Sequence, residues 1–110
     1  MAFKLTPDPR FFAPVKLTVP GQPEPVELDL EFKYLPADEY EAWWEARKDA
    51  PLRDSLAELV LGWSGVVDGN GKAVEFSASA FAALLNNYPA SGVELIRQYA
   101  ALNAGSRLKN

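Results

Sequence analysis

Residues 26–34 alternate without a break: Val26, Leu28, Leu30, Phe32 and Tyr34 are apolar or aromatic, and Glu27, Asp29, Glu31 and Lys33 are charged. Successive side chains of an extended strand point to opposite faces, so the stretch reads as a strand with one buried face. Val15, Leu17 and Val19 repeat the pattern against Lys16 and Thr18. The Pro20-Gly21-Gln22-Pro23-Glu24-Pro25 cluster between the two runs is short enough for an antiparallel hairpin over 15–34, although its prolines argue against a tight two-residue turn. A lone hairpin is marginal in water, so its apolar face must lie against helices or a neighbouring chain.

Downstream the period changes to that of helices. Pro36-Ala37-Asp38-Glu39 is a helix entrance, with proline in the first turn and acids at the positive end of the macrodipole, and predicts a helix over 37–48. Asp49-Ala50-Pro51 breaks it and opens a second over 51–63, where Leu52, Leu56, Leu59, Val60 and Trp63 form one apolar stripe. Ser77 or Ser79 can cap a third helix over 78–88, carrying Phe81, Leu84, Leu85 and Tyr88 on one face and stopped by Pro89. Ser91-Gly92-Val93-Glu94 has capping-box spacing and opens a fourth over 92–104, with Leu95, Ile96, Tyr99, Ala100 and Leu102 inward and Gly105 at its end. Residues 106–110 are expected to fray. The fold class is therefore α+β in a single domain over 1–110, with an N-terminal extended arm over 1–14, an antiparallel β-hairpin and about four α-helices. A chain of this length buries roughly two-thirds of its unfolded surface and folds without staples.

Chemistry is constrained mainly by what the chain lacks. It has no cysteine and no histidine, which removes disulfides, thiolate ligands, the commonest general base and the usual triad. Net charge is −4 with both signs interspersed, so no basic stripe exists to track phosphates and nucleic acid is not expected as a partner. No apolar N-terminal run suggests a signal peptide, and no stretch suggests a membrane span. Asp68-Gly69-Asn70-Gly71 brushes against a calcium loop, but Lys72, Ala73 and Ser79 stand where a ligand, a glycine and the closing glutamate belong. A turn flanked by brief pairing of Val66-Val67 with Ala73-Val74-Glu75 accounts for it better. Glu27, Asp29 and Glu31, and Asp38, Glu39 and Glu41, read as solvated surface, and no phosphate-binding or nucleophile-elbow motif is present. Neither an enzyme nor a cofactor is expected.

The remaining distinctive residues are aromatic. Phe3, Leu5, Phe11 and Phe12 lie among three prolines in the arm, either as a lid on the domain or as an exposed contact surface. Tyr40, Trp43 and Trp44 fall at i, i+3 and i+4 on one helix face, where core packing competes with a binding role. Phe11, Phe12, Tyr40, Trp43 and Trp44 are the candidate partner contacts.

Taken in order, these residues resemble a family of small phage tail assembly chaperones of tailed phages and prophages. The resemblance is carried by Phe3-Lys4-Leu5-Thr6-Pro7-Asp8-Pro9, Phe12-Ala13-Pro14-Val15, Val19-Pro20-Gly21 and Phe32-Lys33. Its most specific part is Gly62-Trp63, Gly65-Val66-Val67-Asp68, Gly71, Val74, Phe76-Ser77, Leu84-Leu85, Tyr88-Pro89 and Lys109-Asn110. The Trp43-Trp44 pair stands outside it. The resemblance implies a non-enzymatic protein that binds the tape measure protein, a long helical client, during tail morphogenesis in the host bacterial cytoplasm. It implies a second partner in the tail tube protein for forms with a frameshifted extension. An alternative is a structural tail or head-completion subunit retained in the virion, and a third is a small prophage-encoded regulator. Self-association is left open by an isolated hairpin with an extended arm.

Overall fold

The computed structural model describes residues 2–105, so the expected frayed tail and the Lys109-Asn110 match lie outside the described residues. Its elements run β1 (Arg10–Leu17), β2 (Val26–Lys33), α1 (Ala37–Arg47), α2 (Leu52–Leu59), β3 (Val60–Ser64), α3 (Ala78–Asn87) and α4 (Ser91–Asn103). The three strands form one antiparallel sheet in the order β1-β2-β3. This is the expected α+β architecture, hairpin first and four helices after it.

The sheet has a covered face and an open one. Ala13, Val15 and Leu17 of β1, Leu30 and Phe32 of β2 and Val60 of β3 are buried and share one side of the pleat. Leu56 and Leu59 of α2, Phe81 of α3, and Leu95 and Tyr99 of α4 complete the same cluster. Each such side chain contributes roughly 1.5–3 kcal/mol when fully buried. The opposite face carries Phe12, Pro14, Glu27, Asp29 and Lys33, all exposed.

Two expected boundaries are corrected. The arm is shorter than 1–14, because β1 begins at Arg10 and pairs with β2 from Arg10↔Lys33 to Leu17↔Val26. Pro14 does not block this. The Lys16 N–H and C=O are bonded to Gln98 of α4, at 2.8 and 2.7 Å, so even-numbered residues of β1 turn their main-chain groups away from β2. Pro14 shares that parity on an edge strand and costs no ladder bond. The helix expected over 51–63 ends at Leu59, and Val60–Ser64 is a strand. Val60 takes φ −94° and ψ 118°, and Leu61 bulges between the Phe32↔Val60 and Glu31↔Gly62 pairs. β-branched and aromatic residues on either side of a glycine suit a strand better than a helix, and the edge of β2 supplies the partner.

The connector behaves as read. Val67 and Ala73 form an isolated antiparallel bridge, and Asp68 Oδ1 accepts from the Asn70 and Lys72 amides at 2.8 and 3.0 Å. Ser77 caps α3 by accepting from the Ala80 amide at 3.0 Å. The capping box at α4 is not made. Ser91 Oγ donates back to the Tyr88 carbonyl at 2.6 Å, and the Glu94 carboxylate crosses to Thr18, accepting from its amide at 2.9 Å and its hydroxyl at 2.5 Å. Two long-range donors displace the one local donor that a capping box would supply.

Candidate functional site

The five candidate contacts divide between two sides of the molecule. Phe11 is half-buried, its ring 5.6 Å from Phe32, 6.4 Å from Tyr34 and 6.5 Å from Tyr99. Tyr40 is half-buried too, stacked at 6.4 Å on Tyr99 and edge-on at 6.0 Å to Trp44. Both rings are thus engaged in one chain of aromatics centred on Tyr99. Trp43 is core rather than surface at 8 % exposure, its indole covered by the Arg47 guanidinium at 5.2 Å. The reason is that α1 buries a single residue, and Trp43 is the one facing inward. Trp44, at 37 %, keeps part of its indole in solvent. Phe12 is exposed on the opposite, open face of the sheet, so it joins none of the others.

A second surface, not anticipated from sequence, is a groove of about 660 Å³ between α2 and α3. Ala57 on α2 meets Ala78, Phe81, Ala82 and Leu85 on α3, with Pro89 beyond and Arg53, Asp54 and Asn86 as its polar groups. Phe81 is buried beneath it, whereas Ala57, Ala78 and Ala82 are exposed. Short side chains on both walls let another backbone approach closely, as helix–helix packing at 8–10 Å requires. Alanine adds little to an apolar stripe, which is why periodicity did not mark the groove. The available signal was the four alanines at 78, 80, 82 and 83, more than the buried face of α3 needs.

Little in either place favours covalent chemistry. Arg53 and Asp54 form an exposed pair at 3.9 Å. Among the described residues no three acidic groups gather as a metal site. The perturbed groups are structural: the Arg47 guanidinium forks onto Glu58 with two bonds of 2.6 Å and holds its carboxyl below the ordinary range, while burial pushes the Tyr99 hydroxyl up. The α2–α3 groove has an apolar floor with three polar side chains, Arg53, Asp54 and Asn86, along it.

The phage tail assembly chaperone family model matches residues 1–110, the full length of the chain. The chain belongs to the phage tail assembly chaperone family. No curated protein and no solved structure gave a match. A tail assembly chaperone works on protein partners in the tail, and among the described residues no helix is long and apolar enough to cross a membrane.

Proposed function

We propose that this tail assembly chaperone binds the tape measure protein during tail morphogenesis in the host cytoplasm, without catalysis, and seats a client helix in the α2–α3 groove. The observation that carries the reading is the family match over the whole chain, and the groove supplies a fitting surface. An apolar ridge of a client helix, with side chains at i, i+3, i+4 and i+7, would cover Leu85 and the exposed alanines, while Arg53, Asp54 and Asn86 meet its polar flanks. Reversible capture is what an assembly factor requires, because the client must be released into the growing tail.

Co-expression with the tape measure protein tests this. The wild-type chain should keep the client soluble and be recovered with it. Ala57→Glu and Ala82→Glu, at exposed helix positions, should each reduce recovered complex at least about tenfold while leaving the circular dichroism unchanged, since each buries a charge in the docked state. If the wild type neither changes client solubility nor yields a complex, the role is wrong. If both variants still bind, the client sits elsewhere.

A further inference from the structure

β3 accompanies β2 only from Phe32 to Asp29, whose partner Ser64 ends the strand. Gly65, at φ +86°, then turns the chain away, a conformation that glycine alone adopts without strain. β1, in contrast, stays paired to the first residue of β2, Leu17↔Val26. Among the described residues, Val26, Glu27 and Leu28 therefore have a paired strand on one side and none on the other.

That open side presents main-chain hydrogen-bonding groups. Lys16 lies opposite Glu27, and both its main-chain groups are bonded to Gln98 on the far side of β1. Directly opposed residues in an antiparallel pair exchange both their hydrogen bonds or neither. The Glu27 N–H and C=O consequently also point away from β1, into the open edge. Beside them is an apolar recess of about 190 Å³ walled by Leu17, Val67, Leu84 and Tyr88, and Val26 and Val67 remain 47 and 58 % exposed. An unpaired edge over an apolar bed is a strand acceptor.

The same chain carries a matching strand. Phe3 and Leu5 are 95 and 94 % exposed and flank Lys4; extended, the two apolar side chains share a face and the cation takes the other. Val26-Glu27-Leu28 has the same apolar–charged–apolar order with the opposite charge. The Lys4 bond to Asp8 at 2.5 Å leaves both groups largely exposed, so exchanging it for Glu27 costs little.

A chain's own arm has no slack to reach this edge. Arg10 pairs with Lys33 at the far end of β2. Glu27 is six residues back, about 20 Å, and the open edge is two strand spacings sideways, about 10 Å, which makes about 22 Å in a straight line through the sheet. Six residues from Arg10 to Lys4 span at most about 20–22 Å, and any path around the sheet is longer.

We propose that the N-terminal arm of one copy adds as a fourth strand beside Val26–Leu28 of a second copy, with Phe3 and Leu5 over the recess and Lys4 against Glu27. Each copy then has one donor arm and one acceptor edge, which allows a reciprocal dimer, a closed ring or an open array. The contact needs no client and is independent of the α2–α3 groove. Analytical ultracentrifugation of the full chain from about 1 µM to 1 mM should show reversible association. Leu5→Asp should raise the dissociation constant at least about tenfold, and Lys4→Glu or Glu27→Lys several-fold each, while the double variant with both reversals returns to within about twofold of wild type. All three positions are exposed, so folding is not at stake. A chain monomeric across the range, association untouched by Leu5→Asp, or a double reversal no tighter than the single ones would overturn the proposal.

Discussion

Tyr99 shows how much one side chain settles. It is fully buried, its Oη 2.8 Å from the Lys33 carbonyl and 3.1 Å from Asn103 Oδ1. Asn103 in turn accepts from the Leu35 amide at 3.0 Å and donates to the Leu35 carbonyl at 2.8 Å. Two residues of α4 thereby fix the passage from β2 into α1. Tyr99→Phe keeps the stacking but leaves the Lys33 carbonyl without its donor, and should cost about 1–3 kcal/mol in urea unfolding. The pH dependence gives a second check. Burial, with smaller effects from Tyr40 and Tyr34, raises the Tyr99 pKa above its ordinary value of about 10. The folded state holds this proton more tightly than the unfolded one, so the stabilisation is complete below about pH 10 and is lost as pH rises beyond it. Above about pH 10 wild type should lose stability more steeply than Tyr99→Phe, and equal slopes there would refute the assignment.

At the scale of elements, α4 works as a substitute strand along β1. Gln98 bonds both main-chain groups of Lys16, and Glu94 takes the Thr18 amide and hydroxyl. An edge that could pair with another chain is closed there by side chains. Gln98→Ala should expose it: the Lys16 amide is expected to exchange with solvent roughly fivefold faster, with β2 amides unchanged, since one net hydrogen bond is worth about 1 kcal/mol and 1.4 kcal/mol is tenfold. Unaltered exchange at Lys16 would show that the seam holds by packing alone. None of this was legible beforehand. The Ser91-to-Glu94 spacing signals a local cap, and only the folded chain brings Thr18 to Glu94. β3 failed for a related reason, because Leu56, Leu59, Val60 and Trp63 satisfy a helical stripe and a strand is decided by the partner it meets. The hairpin was legible because burial of one face imprints alternation on every residue. Of the candidate contacts, clustering around Tyr99 was partly visible as helical spacing. The alanine groove left almost no periodic trace, since a surface defined by small side chains is written as missing bulk.

For the whole molecule, stability should be uneven, and α1 is where it should be lowest. The sheet, α2 and α4 share most of the fully buried residues, whereas α1 buries only Trp43 and has no side-chain cap. What ties α1 down is the Trp43 indole, the Tyr40 ring against Tyr99 and the Arg47 fork onto Glu58. Trp43 Nε1 is itself buried with no hydrogen-bond partner among the described residues, a standing cost that local opening would relieve. The ion pair is partly exposed, with 28 % of the Arg47 side chain and 48 % of that of Glu58 in solvent, so salt should weaken it: at 1 M the screening length falls to about 3 Å. The Glu58 pKa is lowered chiefly by its bond to Arg47, so its contribution is present above the ordinary carboxylate range and is lost as pH falls through the folded value. In native-state hydrogen exchange, α1 amides should open in a sub-global step below the global unfolding free energy, with β2 and α4 exchanging last. Arg47→Gln or 1 M salt should lower protection in α1 and leave β2 and α4 where they were. If α1 exchanged only with the rest of the chain, the Trp43 and Tyr40 rings would have to make the helix part of the global unit, and the ion pair would be an ornament of the surface.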